Sequence, residues 1–228
     1  MRSHSLEVVH ERWHGCTKCG LHEDRRGDRI TFGVGASDTD ILFVGPTPNG
    51  DDVYAKTYLI GDRGSIFKEV LSIAGLDPDR CFFTPIVGCR PTVLIPATED
   101  EEEQIKNRAP TKEEVAACFS RVEEIIYAVD PRLVVALGDT AWKAVVGTKD
   151  RGRHINTVVQ AHTRLFVTHV RGVFRDVTYP VMALVDPGTM LANPSVAAHG
   201  PIATAAAALK DAATYVGWLK RNEKKDLR

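Results

Sequence analysis

The stretch DILFVGPTPNGDD, at residues 40–52, joins a continuous apolar run to a loop rich in proline, glycine and asparagine. An apolar run without alternation is typical of a parallel strand buried on both faces, so residues 40–44 are predicted to form such a strand. The run ends at Gly45, and the residues after it are predicted to be irregular. In open α/β sheets ligands bind beyond the carboxyl ends of the strands, which makes this loop a candidate site.

The same pattern recurs along the chain, where further apolar runs alternate with helix patterns. Buried strands are predicted at residues 81–87, 133–137 and 177–185, and helices at residues 5–13, 64–74, 110–129, 141–146 and 202–219. This alternation predicts an α/β fold with a central, mostly parallel sheet flanked by helices on both faces. A chain of this length suits one core, so residues 1–228 are predicted to form a single domain.

The composition restricts the class of protein. With 43% hydrophobic and 26% charged residues, the chain resembles an ordinary soluble protein. No apolar run reaches the roughly 18–20 residues of a membrane span, and the N-terminus lacks the apolar core of a secretory signal, so we expect a cytoplasmic protein with no membrane partner. We also expect a monomer. The net charge of −1 does not exclude nucleic acid, because phosphate contacts depend on local Lys and Arg.

Five cysteines in a reducing compartment favour metal ligation or simple burial over disulfides. Cys16 and Cys19 form a CxxC pair, which places two thiolates close enough to share a metal or a cluster. Cys89 and Cys118 are the candidates for two further ligands, and either zinc or iron would accept four thiolates. Cys81 opens a predicted strand and is expected to point into the core.

Several short motifs occur in a fixed order. They are CTKCGL at residues 16–21 followed by Arg25 and Arg26, CRP at residues 89–91, NRAP at residues 107–110, and PRLVVALG at residues 131–138. As a set they resemble the uracil-DNA glycosylase superfamily, closest to its iron–sulfur family 4, with some features of family 5. The resemblance covers about residues 10–192 and places an insertion at about residues 92–106.

The resemblance implies a three-layer sandwich, DNA as the partner, and a [4Fe–4S] cluster held by Cys16, Cys19, Cys89 and Cys118. It also implies a monofunctional DNA glycosylase, which flips a base from DNA and hydrolyses its N-glycosidic bond to leave an abasic site. Such an enzyme needs a carboxylate or polar group near the cationic sugar and donors for the leaving base. The catalytic candidates are Thr47, Asp51, Asp52 and Asp186.

The catalytic candidates depart from the family pattern. Thr47 takes the position that holds a water-positioning residue in other members of the superfamily. Asp186 replaces a histidine, and a carboxylate donates no hydrogen bond unless it is protonated. For each aspartate, a purely structural turn or cap is the alternative interpretation.

The predicted base-binding residues belong to the first loop and to two later segments: Gly45, Pro46, Pro48, Asn49, Tyr58, Leu59 and Pro85. The family's base-stacking aromatic falls at Leu59 and its pyrimidine-reading asparagine at Pro85. With the histidine replaced as well, three groups that fit uracil are missing. We therefore predict a bulky modified pyrimidine as the target, for example glucosylated hydroxymethylcytosine of phage DNA, as in antiviral defence glycosylases. The alternatives are a family 4-type uracil-DNA glycosylase in base excision repair and a non-catalytic Fe–S or zinc DNA-binding module.

The predicted DNA contacts follow the second catalytic loop. The DNA-binding residues are Arg63, Gly188, Met190, Leu191 and Asn193, the last three as candidates for a wedge in the unstacked duplex. Further phosphate contacts are predicted for Arg151, Arg153, His154, Arg164 and Arg171. The acidic residues 99–103 would repel a DNA backbone, so the insertion is expected to face away from the duplex or to contact only the displaced base.

Overall fold

The computed structural model describes residues 5–24, 30–98, 101–146, 165–171, 176–197 and 199–226. The strands of these residues are β1 (Val34–Gly35), β2 (Ile41–Gly45), β3 (Phe82–Pro85), β4 (Thr92–Ile95), β5 (Gln104–Asn107), β6 (Leu133–Leu137), β7 (Leu165–Arg171) and β8 (Asp176–Leu184). The helices are α1 (Leu6–Trp13), α2 (Leu21–Asp24), α3 (Gly50–Tyr54), α4 (Gly61–Ala74), α5 (Lys112–Val129), α6 (Gly138–Val145), α7 (Pro187–Ala192) and α8 (Pro201–Asp226).

The central sheet has six strands in the order β1-β3-β2-β6-β8-β7. The four inner strands run parallel, and β1 and β7 pair antiparallel at the two edges. Every residue of β2 and β6 is buried, as their continuous apolar runs require. This sheet confirms the predicted α/β fold.

The helices that contact one another form two groups, α4 with α7 and α8, and α5 with α1 and α6. Two groups of helices around one sheet agree with the predicted three layers. Thr111 begins α5 with a capping box, in which its side chain accepts from the backbone of Glu114. No helix within the described ranges is long and apolar enough to cross a membrane.

The structure differs from the prediction at several places. Residues 50–52, which were predicted to be irregular, begin the short helix α3, and the short helices α2 and α7 were not predicted. Helix α4 begins at Gly61, three residues before the predicted residue 64. The edge strands β1 and β7 were not predicted, because neither carries a long apolar run. The insertion at about residues 92–106 forms an antiparallel hairpin of β4 and β5, separate from the main sheet. The single domain, the monomer and the cytoplasmic location stay predictions.

Candidate active site at the carboxyl ends of the strands

The parallel strands β3, β2, β6 and β8 are neighbours, so the segments after their carboxyl ends meet at one edge of the sheet. The first loop, residues 45–52, follows β2, and the second loop, residues 186–193, follows β8. The predicted catalytic residues all lie in these two loops. The fold therefore brings them to the edge at which parallel sheets bind ligands.

Asn49 begins the short helix α3 with a capping box. Its Oδ1 accepts from the backbone N–H of Asp52 at 2.8 Å, and Asp52 Oδ2 accepts from the backbone N–H of Asn49 at 2.9 Å. The amide oxygen of Asn49 is therefore used within the loop, and its predicted contact with a base stays a prediction.

Asp52 is fully buried. Besides the contact with Asn49, its Oδ1 accepts from the backbone N–H of Ile60 at 3.0 Å and its Oδ2 accepts from Arg63 at 3.0 Å. Both carboxylate oxygens are thus occupied, and burial of this ion pair separates it from solvent. The geometry gives Asp52 a structural role and corrects its assignment as a catalytic residue.

Asp51, unlike Asp52, is exposed. A Cβ on Gly61 would lie 2.9 Å from Asp51 Oδ2, so this carboxylate lies over the first residue of α4. The positive end of a helix favours a negative charge at this place. Asp51 is the carboxylate of the first loop that faces solvent.

Arg63 joins the two loops. Its Nη2 contacts Asp52 and lies 3.5 Å from the carbonyl oxygen of Thr47, while its Cδ lies 3.9 Å from the position of a Cβ on Gly188. Its Nε is buried and makes no hydrogen bond with any residue in the described ranges. Only 23% of the side chain is exposed, and the predicted contact of Arg63 with DNA stays a prediction.

Asp186 caps α7. Its Oδ1 accepts from the backbone N–H groups of Gly188 at 2.8 Å and Thr189 at 3.1 Å, and its Oδ2 accepts from the Thr189 hydroxyl at 2.8 Å. Gly138, at the end of β6, has a φ of 81°, and a Cβ there would lie 3.0 Å from Asp186 Cβ. No sequence pattern predicts this contact, which requires glycine for both its backbone angle and its space. Asp186 therefore lies at the junction of β6 and β8, half-buried.

The predicted base-binding residues separate into two places. Gly45 and Pro85 are register partners at the ends of β2 and β3. Tyr58 and Leu59 are buried and line a cavity of about 310 Å³ between α4, β1 and the 3-10 turn at Pro78–Arg80. This cavity contacts none of the four catalytic candidates, so its apolar volume alone does not mark the site of chemistry.

The two prolines of the first loop are also held by the scaffold. The carbonyl oxygen of Pro46 accepts from the backbone N–H of Ile86 at 3.0 Å, and Pro48 is buried. Both residues therefore shape the floor of the loop, and their predicted contact with a base stays a prediction.

Two adjacent residues of the second loop, Met190 and Leu191, differ in their exposure to solvent. Met190 is fully buried and has no surface with which to enter DNA, which corrects its prediction as a wedge. Leu191 is 41% exposed, and Asn193 is exposed beside it. Leu191 is thus the apolar side chain of this loop that is available to a duplex.

The four predicted ligand cysteines come from three segments. Cys16 and Cys19 lie in the turn between α1 and α2, Cys89 in the loop after β3, and Cys118 in α5. Helix α1 packs on α5, and Arg12 Nη1 contacts Glu124 Oε2 at 2.6 Å. These contacts bring the N-terminal turn to the helix that carries Cys118.

Arg121 is buried among three of these thiols. Burial lowers the pKa of its guanidinium, and the thiols of Cys118, Cys89 and Cys16 act in the opposite direction. Burial raises the pKa of Cys19, to which Cys118 and Cys16 also contribute. Three of the predicted ligand cysteines thus influence Arg121 electrostatically, and two of them influence Cys19.

No three His, Cys, Asp or Glu side chains in the described ranges lie close enough to hold a single metal ion. Four thiolates are a donor set that iron–sulfur clusters and structural zinc sites both use. Cys81 is buried at the start of β3, as predicted, and burial raises its pKa to about 12.

Some predicted residues lie outside the described residues: Arg25, Arg26, Glu99, Arg151, Arg153, His154 and Arg164. Arg171 is the last residue of β7. One contact that was not predicted is that of Arg90, whose Nε donates to Asn107 Oδ1 at 2.6 Å and whose Nη1 would lie 3.2 Å from a Cβ on Gly50. Arg90 thereby links the base of the β4–β5 hairpin to the first loop.

Comparison with known proteins agrees with this arrangement. The sequence profile of the Uracil DNA glycosylase superfamily matches residues 32–210. The chain therefore belongs to this superfamily, whose enzyme class is the DNA glycosylases, hydrolases of N-glycosyl bonds. The resemblance drawn from the sequence is confirmed.

Individual relatives place the chain within the superfamily. It is similar to a type-4 uracil-DNA glycosylase of Thermotoga maritima, with 33% identity over 68% of this chain and 76% of the relative. A type-4 uracil-DNA glycosylase of Pyrobaculum aerophilum is 30% identical over 62% of this chain and 64% of the relative. A type-5 uracil-DNA glycosylase of the same organism is 30% identical over 59% of this chain and 54% of the relative. The chain thus spans less than two thirds of these last two relatives.

Proposed function

We propose that this member of the superfamily is a monofunctional DNA glycosylase that flips a base from DNA and hydrolyses its N-glycosidic bond. The observation that carries the proposal is the meeting of two loops at the carboxyl ends of four parallel strands, joined by Arg63. The exposed Asp51 and the half-buried Asp186 lie on these loops. The product is a free base and an abasic site in the DNA.

Asp51 is our candidate for stabilising the cationic sugar. The C1′ carbon gains positive charge as the bond to the base breaks, and a nearby carboxylate lowers the energy of that state. Asp51 is favoured over Asp52 because its oxygens are exposed, whereas those of Asp52 are occupied. Thr47 is the candidate for positioning the attacking water.

Uracil is the first base to test, because the relatives that cover most of the chain are named uracil-DNA glycosylases. A modified pyrimidine is the second candidate. It is supported by the nonpolar side chains of Leu59 and Pro85, at positions where the family pattern has groups that fit uracil. The glucosylated hydroxymethylcytosine target predicted from the sequence finds no support among the relatives.

The experiment is mass spectrometry of the bases released from duplex DNA that contains uracil, from unmodified DNA, and from phage DNA with glucosylated hydroxymethylcytosine. We expect a free base together with abasic sites from either the uracil-containing DNA or the phage DNA, and none from unmodified DNA. Asp51→Asn should lose this release, whereas Asp62→Asn, an exposed control in α4 with the same charge change, should retain it. DNA binding without release of any base would identify a non-catalytic DNA-binding module instead.

We also propose that Cys16, Cys19, Cys89 and Cys118 hold a [4Fe–4S] cluster. Four thiolates are the usual ligand set of such a cluster. When bound, the cluster supplies a structural crosslink between the N-terminal turn, the loop after β3 and α5. In this proposal the role of the cluster is structural.

Elemental analysis of the purified chain tests the cluster. We expect about four iron atoms per chain and visible absorption from thiolate–iron bonds. Cys118→Ser should lose iron and unfold at a lower temperature, because cluster binding contributes to folding. Cys81→Ser is the matched control, since this cysteine is buried at the other end of β3 and should leave the iron content unchanged. Zinc without iron would contradict the cluster.

A further inference from the structure

The hydroxyl of Tyr58 reaches the ends of the central strands. A Cβ on Gly45 would overlap this hydroxyl, so the phenol packs directly against the Gly45 backbone. Gly45 is the register partner of Pro85, and both residues end their strands. Neither residue has a polar side chain. Arg121 Nη2 donates to the carbonyl oxygen of Pro85, and its Nη1 donates to the Thr84 hydroxyl, so this guanidinium is held by β3, and the Tyr58 hydroxyl is a second side-chain donor beside these strand ends.

The backbone around Tyr58 is held on both sides. The N–H of Thr57 donates to the carbonyl oxygen of Asp52, and the N–H of Ile60 donates to its carboxylate, both at 3.0 Å. Leu59 takes a left-handed conformation with a φ of 58°, and its carbonyl oxygen occupies the space that a side chain on Gly64 would need. A strained residue held this firmly is typical of a functional site.

The phenol ring of Tyr58 is buried, but its hydroxyl is available to donate a hydrogen bond. Tyr58 is 2% exposed overall, and its hydroxyl makes no hydrogen bond with any residue that the structure describes. The buried Asp52, by contrast, uses both of its oxygens. Tyr58 thus brings one free polar group to the edge of the sheet at which the two loops meet.

The protonation state of this hydroxyl suits a donor. Burial raises the pKa of Tyr58 well above its ordinary value; Arg63 and Arg121 lower it, and the Asp52 and Asp186 carboxylates raise it. A phenol with a raised pKa keeps its proton at neutral pH. The contact with the Gly45 backbone places the hydroxyl at the start of the first loop.

We propose that the Tyr58 hydroxyl donates a hydrogen bond to a carbonyl oxygen of the flipped pyrimidine and stabilises the base as it leaves. This inference rests on the proposed function. The bond between C1′ and the base nitrogen breaks, and its electron pair passes to the base, where it is shared with the carbonyl oxygens. Water adds to C1′ and loses a proton, and the base anion later takes a proton from solvent. Tyr58 keeps its own proton throughout.

The test compares Tyr58→Phe with the wild type in single-turnover release of uracil and of 5-fluorouracil from otherwise identical duplex DNA. A lost donor to developing negative charge typically slows the chemical step about 100-fold or more, so we expect a reduction of this order for uracil. The reduction should be smaller for 5-fluorouracil, whose anion is already stabilised by fluorine. Tyr54→Phe is the control, since Tyr54 is 91% exposed in α3 and should keep wild-type rates.

The leaving-group dependence separates a donor from a structural residue. Equal reductions for both bases together with a lower melting temperature would overturn the proposal, and so would wild-type rates in Tyr58→Phe. If the wild type releases only a modified pyrimidine, the same comparison is made on that base, and a rate unchanged by Tyr58→Phe again overturns the inference. If the wild type releases no base from any DNA, the proposed function fails and this inference fails with it.

Discussion

The first loop, residues 45–52, and the second loop, residues 186–193, each contain two adjacent residues of similar chemistry. Asp51 and Asp52 are the pair in the first loop, and Met190 and Leu191 are the pair in the second. In each pair one side chain is buried and the other is exposed. Adjacent residues of similar chemistry therefore divide into one that holds the loop and one that is available to DNA.

The loops differ in what holds them. The first is fixed by a buried carboxylate that pairs with Arg63 and accepts two backbone N–H groups. The second is fixed by the capping contacts of Asp186 and by the burial of Met190. A buried ion pair is costly to break on one side, whereas a helix cap contributes little, so the first loop should be the more sensitive to substitution.

The largest expected effect is that of Asp52→Ala on stability. It leaves Arg63 without its carboxylate and two backbone N–H groups without an acceptor, and we expect a loss of about 3–5 kcal/mol in the free energy of unfolding. The change is measured by urea denaturation followed by circular dichroism.

Asp51→Ala is the control for this loss, because an exposed substitution usually changes stability by less than about 0.5 kcal/mol. It should instead abolish base release with the fold intact. Equal stability losses in Asp51→Ala and Asp52→Ala would contradict the assignment of Asp52 to the structure of the loop and of Asp51 to contact with DNA.

The second loop gives a smaller contrast of the same kind. Met190→Ala removes a fully buried side chain, and we expect a loss of about 2–4 kcal/mol from the lost burial and the cavity. Leu191→Ala should leave the unfolding free energy almost unchanged and weaken the binding of duplex DNA that contains an abasic-site analogue.

Fluorescence anisotropy at fixed salt measures this binding. The assignment of Leu191 as the wedge fails if its alanine variant binds this DNA as tightly as the wild type. Asn193→Ala serves as the comparison for a polar neighbour on the same exposed surface.

The sequence predicts the central sheet well because each inner strand can be recognised by its run of apolar residues. A strand buried on both faces needs a continuous apolar run, and residues 133–137 show such a run with the same bounds as β6. The edge strands β1 and β7 lack this signal, since one is two residues long and the other pairs antiparallel at the edge of the sheet.

The candidate site is predicted less completely, for a physical reason. Sequence shows which residue types follow a strand but not where their side chains point. The separation of Asp51 from Asp52 depends on the cap at Asn49, and the role of Arg63 depends on the approach of Gly188, which is distant in sequence. Contacts of this kind exist only after the sheet has formed.

The cap residue Asp186 has a smaller expected effect on stability than Asp52 or Met190, and it bears most directly on mechanism. Asp186→Ala removes the cap of α7 and should cost about 1 kcal/mol, whereas Asp186→Asn keeps an acceptor for the same N–H groups and should cost only a few tenths. The two variants therefore separate the cap from the charge. If the charge of Asp186 stabilises the sugar cation, base release falls strongly in both variants, although Asp186→Asn stays nearly as stable as the wild type. If Asp186→Asn retains the wild-type rate of release, Asp186 acts only as a cap, and Asp51 is left as the carboxylate that faces the sugar.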